Sequence, residues 1–246
     1  MNYDKDYWNS KWPNSPILYN GRALMVKKQI GVDVRDFIAE QDILVEQVVR
    51  QYSLKQATFN QTAQACQKWV VGFLTYKDDA KNDLVPEFWQ FPFESLQSKF
   101  GDCEDGAILM ATLMIAAGIP NWRVKVAAGY VQQSPTAPQG GHAYCMFLAD
   151  RPDSNRGMEW VITDWCYYED SGVSPERKPL AKNGGFNNCY KDVWFTFNDE
   201  FSWNQTSLSV DGRVSGAQVV ETTTSGQEQL NTLLTDIDQQ ILSKIN

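Results

Sequence analysis

Apolar residues recur at three- and four-residue spacing in two early stretches of the chain. The run Asp42-Ile-Leu-Val-Glu-Gln-Val-Val-Arg-Gln-Tyr52 starts on an acid and repeats its apolar positions at helical spacing, which predicts an amphipathic helix. A second helix is expected from about Thr62 to Leu74, where Ala65, Trp69 and Phe73 fall on one face. Lys77–Asp83 is charged and reads as a loop, and Phe88-Trp-Gln-Phe-Pro92 as a turn-like stretch. From Glu104 to Ala117 the pattern changes to an almost unbroken apolar run of helical length. Glu104 and Asp105 in its first turn, Gly118 at its end and Pro120 beyond mark its limits. A helix that is apolar all round is buried, and its first residues face whatever pocket lies at its amino end.

Strand-like segments follow at Trp122–Val131, His142–Leu148, Glu159–Tyr168 and Val193–Phe197. Loops rich in Gly, Pro and Ser separate them at 132–141, 150–157 and 169–188. Helices first and consecutive strands afterwards predict an α+β domain, with an antiparallel sheet against the buried helix. Residues 1–35 read as an irregular arm or edge strand, 36–203 as the main domain and 204–226 as a linker around the Ser/Thr/Gly-rich stretch Ser215–Gly226. In 227–246, Leu230, Leu234, Ile237, Ile241 and Ile245 form a narrow apolar seam. Such a seam suits self-association, docking on a protein partner through residues 230–245, or folding back on the same domain.

Composition narrows the function classes. The 246 residues carry a net charge of −8 without a long basic run, which disfavours nucleic acid and anionic membranes as partners. Nine Trp and ten Tyr imply aromatic packing, or a groove for sugar or peptide. The start MNYDKDYWNSKWPNSP lacks the apolar run of a signal peptide, and no stretch has about 18 consecutive apolar residues. The expectation is a cytoplasmic protein, or one built into an assembly made there, such as a phage particle. Five cysteines with no CxxC pair argue against a disulfide framework and a zinc ribbon.

One cysteine stands apart. Cys103 precedes the apolar run, where the positive end of a helix dipole favours a thiolate nucleophile. Asp102, Glu104 and Asp105 crowd it with negative charge, so a cationic partner is required. The chain has a single histidine, His142, at the start of a strand after Gly140-Gly141; it is the one imidazole available as a base. Asp164 lies in the otherwise apolar Trp160-Val-Ile-Thr-Asp-Trp165. A carboxylate there needs hydrogen bonds, and an imidazole N–H supplies one if the strands of His142 and Asp164 pair.

The segments Phe100-Gly-Asp-Cys-Glu-Asp-Gly-Ala-Ile-Leu, Ala117-Gly-Ile-Pro, Gly141-His-Ala-Tyr and Ile162-Thr-Asp-Trp occur in that order. Together they resemble the transglutaminase-like superfamily, nearest to its bacterial cysteine-proteinase branch. Trp89-Gln-Phe-Pro-Phe-Glu-Ser-Leu is similar to that branch's segment before the nucleophile. The resemblance spans roughly residues 86–168 and implies a papain-like core with Cys103 as nucleophile, His142 as base and Asp164 as its orienter. It implies attack on an amide of a peptide or protein through a thioester, which water or an amine resolves. The Cys103 N–H would help form an oxyanion hole, with Gln90 or Trp89 as a side-chain donor. No cofactor is required. Some members of the branch bind calcium through acids in the places of Asp102 and Asp105, though capping or solvation accounts for these two as well. Hydrolysis is the expected outcome, with transamidation and an assembly role anchored by 227–246 as alternatives.

Overall fold

The computed structural model describes residues 3–10, 17–24, 28–79, 88–204 and 209–210. Helix α1 (Lys5–Asn9) and the antiparallel strands β1 (Leu18–Leu24) and β2 (Lys28–Asp33) occupy the stretch read as an arm. Ile17, Tyr19, Val32 and Val34 lie in the main core, so this segment is packed and not loose. The proposed linker and the seam at 230–245 lie almost wholly outside the described residues.

Helix α2 (Ile43–Gln51) begins where Asp42 accepts from the N–H groups of Leu44 and Val45 at 2.7 and 3.3 Å, satisfying amides that a helix start leaves free. In α3 (Phe59–Phe73), Thr58 caps Gln61 at 3.2 Å. Two residues of β3 (Thr75–Tyr76) follow.

Helix α4 (Pro92–Ser98) starts on the last residue of the stretch read as a turn and continues through Glu94-Ser95-Leu96, where no element was expected. Pro92 at its first position has the backbone angle a helix needs and no N–H to satisfy. Glu94 accepts from the Phe91 N–H at 2.7 Å. Lys99, at φ 62°, stops the helix, and β4 (Phe100–Gly101) pairs in parallel with β3.

Helix α5 (Cys103–Ala116) is the apolar run, buried from Glu104 to Met114. It packs against α2, α3 and α4 as well as the sheet. That sheet contains β5 (Val124–Val131), β6 (Gly140–Asp150), β7 (Met158–Thr163), β8 (Tyr190–Phe197) and β9 (Ser202–Asn204). Its order is β7-β6-β5-β8-β9, every neighbour antiparallel. Strand β10 (Ser209–Val210) pairs instead with β1. The fold is therefore α+β, with the buried helix on an antiparallel sheet. The strand expected over Glu159–Tyr168 ends at Thr163. Asp164 Oδ1 accepts from the N–H groups of Cys166 and Tyr167 at 3.0 and 3.3 Å, and this Asx-type turn diverts the chain from the ladder.

Many of the aromatics are packing. Trp89 lies in a stack with Tyr19 and Phe197, at 4.9 and 5.9 Å between ring centroids, and Trp8 and Trp203 are buried. Among the described residues no helix is long and apolar enough to cross a membrane.

Candidate active site

The start of α5 is held from two sides. Asp102 and Asp105 form a reciprocal cap, and the Asp102 N–H reaches Asp105 Oδ2 at 3.2 Å. Asp105 also accepts from the Gln90 N–H at 2.8 Å and from Gln90 Nε2 at 2.9 Å. Burial first, and the neighbouring Asp102 second, push the Asp105 carboxyl well above its ordinary value. A Cβ on Gly101 would lie 2.7 Å from Asp105 Cβ, so glycine is what lets the chain approach this buried acid. On the opposite side, Trp165 Nε1 donates to the Cys103 carbonyl at 3.3 Å. A side chain on Gly106 would strike that indole at 2.2 Å.

Cys103 is thus the first residue of a rigid buried helix, with its own side chain half-buried. Its sulfur lies 3.2 Å from Glu104 Oε2, and Cys103 is near enough to the His142 imidazole to help raise it. His142 Nε2 donates to Asp164 Oδ2 at 2.6 Å. Strands β6 and β7 pair directly, Cys145 opposite Thr163, so the residue after β7 arrives beside β6. Of the three residues singled out from sequence, His142 and Asp164 are bonded directly, and Cys103 acts on the same imidazole.

Electrostatics favour a charged pair. Burial opposes charge on His142, but Asp164 and then Cys103 outweigh it and raise the imidazole to about 10. Burial would likewise raise Asp164, yet the His142 charge and hydrogen bonds from His142, Tyr190 and the Cys166 N–H hold it below its ordinary value. Burial drives the Cys66 thiol far up and Cys145 to about 12, and Cys166 is also raised, first by burial and then by Asp164.

Two supporting residues escaped sequence reasoning. The Tyr190 hydroxyl donates to Asp164 Oδ2 at 2.7 Å, the same oxygen that His142 uses. Nothing in the sequence distinguished Tyr190 from nine other tyrosines. Gln67 Nε2 donates to the Asp164 carbonyl and to Asp170 Oδ1, both at 2.7 Å. Here a signal existed: Gln67 stands with Ala63 and Val70 on the buried face of α3, and a fully buried amide is kept only with partners.

The candidate oxyanion donors sit otherwise than expected. Gln90 directs its amide nitrogen at Asp105, and Trp89 is 3% exposed inside its aromatic stack. Gln90 thereby braces the start of α5. Asp79, Asp102 and Asp105 bring oxygen atoms within 4.8 Å of one another, a donor set suited to a hard cation such as calcium. Both Asp105 oxygens already accept hydrogen bonds, so the cluster also stands as a helix cap.

Residues 46–165 match the model of the transglutaminase-like superfamily. The sequence has no match among curated proteins. Among solved structures, Legionella pneumophila LapG is 18% identical with a TM-score of 0.46, covering 66% of this chain and 86% of its own. Its calcium-bound form is 19% identical at a TM-score of 0.46, covering 68% and 92%. A protein from Cytophaga hutchinsonii described as a candidate cysteine protease is 16% identical at a TM-score of 0.37, covering 66% and 48%.

Proposed function

From the premise that the chain belongs to the transglutaminase-like superfamily through residues 46–165, we propose that it is a cysteine peptidase or amidase acting on peptides or proteins through Cys103, His142 and Asp164. The observation that carries this reading is the position of the single imidazole, bonded through Nε2 to a buried carboxylate at 2.6 Å and within electrostatic reach of the thiol at the head of α5. Such a pair is a thiolate–imidazolium nucleophile in waiting.

In the first half-reaction the thiolate attacks the amide carbon and a C–S bond forms. The oxyanion is stabilised by the N–H of Cys103, the first residue of α5. His142 then gives its proton to the leaving nitrogen as the C–N bond breaks. In the second, neutral His142 takes a proton from water, the oxygen attacks the thioester, and the C–S bond breaks to restore the thiol. Asp164 holds the tautomer throughout. A primary amine in place of water would give transamidation by the same residues. Calcium, where bound, would sit on Asp79, Asp102 and Asp105 and brace the start of α5; no step of the reaction uses it.

The test is labelling and turnover together. Iodoacetamide is expected to alkylate Cys103 faster than the other four thiols, and His142→Ala to remove that advantage. A peptide-amide library, with and without a primary amine, is expected to leave an acyl group on Cys103 by mass. Equal labelling of all five thiols in native protein would overturn the reading.

A further inference from the structure

We propose that the outer edge of β3 binds the substrate's backbone beside Cys103, and that Tyr76 and Phe100 receive an apolar side chain of that peptide. This rests on the assignment of Cys103 as nucleophile and names where the chain around the reacting amide lies.

Strand β3 faces β4 through alternate residues. The Thr75 N–H bonds to the Lys99 carbonyl at 3.0 Å, and the Lys77 N–H to the Gly101 carbonyl at 2.9 Å. Peptide groups alternate sides along a strand, so the N–H and C=O of Tyr76 point away from β4. Among the described residues no strand pairs with that edge. An open edge is a template for an added strand.

The edge is continuous with the nucleophile. The Tyr76 ring lies 5.9 Å from that of Trp165, and Trp165 bonds to the Cys103 carbonyl. Phe100 is the partner of Thr75 across the pair, three residues before Cys103. Tyr76 and Phe100 are 51% and 38% exposed, two of the few large apolar side chains that face water. Burial raises the Tyr76 phenol, as do the charges of Cys103 and Asp102, which puts the hydroxyl within electrostatic reach of the thiol.

The occupant follows from these groups. A backbone donor and acceptor at strand spacing recognise a peptide, and two exposed rings beside them recognise an apolar or aromatic side chain. Lys77 Nζ lies 5.1 Å over the Phe100 ring and offsets Asp78 and Asp102 nearby in the chain, so the preference for an apolar side chain rests on the rings and not on charge.

Three probes separate the possibilities in the full-length protein: iodoacetamide, acetyl-Phe-Gly-chloromethyl ketone and acetyl-Glu-Gly-chloromethyl ketone. The Phe probe is expected to alkylate Cys103 at least about tenfold faster than the Glu probe. Tyr76→Ser with Phe100→Ser should bring that ratio near one; as a ratio of two probes on one protein, it cancels any change in the thiol itself. N-methylation of the Phe–Gly amide should slow the Phe probe and spare iodoacetamide, a result independent of protein folding. Equal rates for the two peptidyl probes, with iodoacetamide still selecting Cys103, would overturn the edge and leave the nucleophile standing. Loss of selectivity towards iodoacetamide in native protein would remove the nucleophile, and the edge with it.

Discussion

Two ion pairs are buried side by side under the end of the sheet, joined by Gln67, and they behave in opposite ways. In Lys178–Asp170, burial is the largest influence on both partners: it lowers the lysine and raises the aspartate, each towards its neutral form. In His142–Asp164 both partners are shifted towards the charged form. The difference lies in solvation by protein dipoles. Asp164 accepts from two backbone N–H groups, the Tyr190 hydroxyl and the imidazole. The Asp170 side chain accepts from Gln67 and Lys178. A buried pair becomes chemically useful when the site holds its charges ready and leaves one partner a free face. Lys178 gives its second bond to the Asp170 carbonyl at 3.0 Å, whereas His142 spends one ring nitrogen on Asp164 and is also influenced by the Cys103 thiol.

The strongest way to break that contrast is to exchange the responses. Asp164→Asn keeps the shape but misdirects the imidazole, and should cut Cys103 turnover roughly a thousandfold with little change in fold. Lys178→Met should leave any turnover per folded molecule near that of the native chain. It should cost about 3–5 kcal/mol in urea unfolding, because Asp170 is left charged and buried. Replacing both, Lys178→Met with Asp170→Leu, should recover much of that loss. A Lys178→Met variant that stays fully stable yet loses Cys103 reactivity would reverse the assignment of the two pairs.

The pairs should also part in their pH dependence. Asp164 is held below its ordinary 3.8, so its contribution to stability is present above that pH and is lost as pH falls through the lower folded value. His142 is raised from 6.5 to about 10, so its contribution is complete below pH 6.5 and disappears as pH rises towards 10. Unfolding free energy should therefore decline between pH 6.5 and 10, and Asp164→Asn should flatten that decline. A decline of unchanged size in Asp164→Asn would assign the slope to other groups.

How far these features could be read beforehand follows the kind of signal each residue leaves. The helix at Cys103 was legible because an apolar run with acids at its head and Gly118 behind it has one physical solution. His142 was legible because the chain has no other histidine. Helix α4 was not, since Pro92 among aromatics reads as a turn until Glu94 is seen capping Phe91. The bond from Gln90 to Asp105 was not legible, because the two are fifteen residues apart and meet only after α5 has folded. Tyr190 was invisible for the same reason: its meaning depends on β8 lying at a particular register in the sheet.

Tyr190 also gives the smallest and sharpest test. Its hydroxyl and the imidazole divide one carboxylate oxygen, at 2.7 and 2.6 Å. Tyr190→Phe removes one donor from a fully buried anion while keeping the ring that packs edge-on against Tyr144 at 4.8 Å. More of the carboxylate's charge then acts on His142, so the imidazole should titrate higher than in the native chain. Its orientation is also less fixed, so Cys103 turnover should fall about tenfold, far less than for Asp164→Asn. With a single histidine, one imidazole resonance reports the titration directly, and Lys178→Met serves as the control that should leave it in place. An unmoved resonance in Tyr190→Phe would mean that the two backbone N–H groups alone keep Asp164 ionised, and that the phenol is packing.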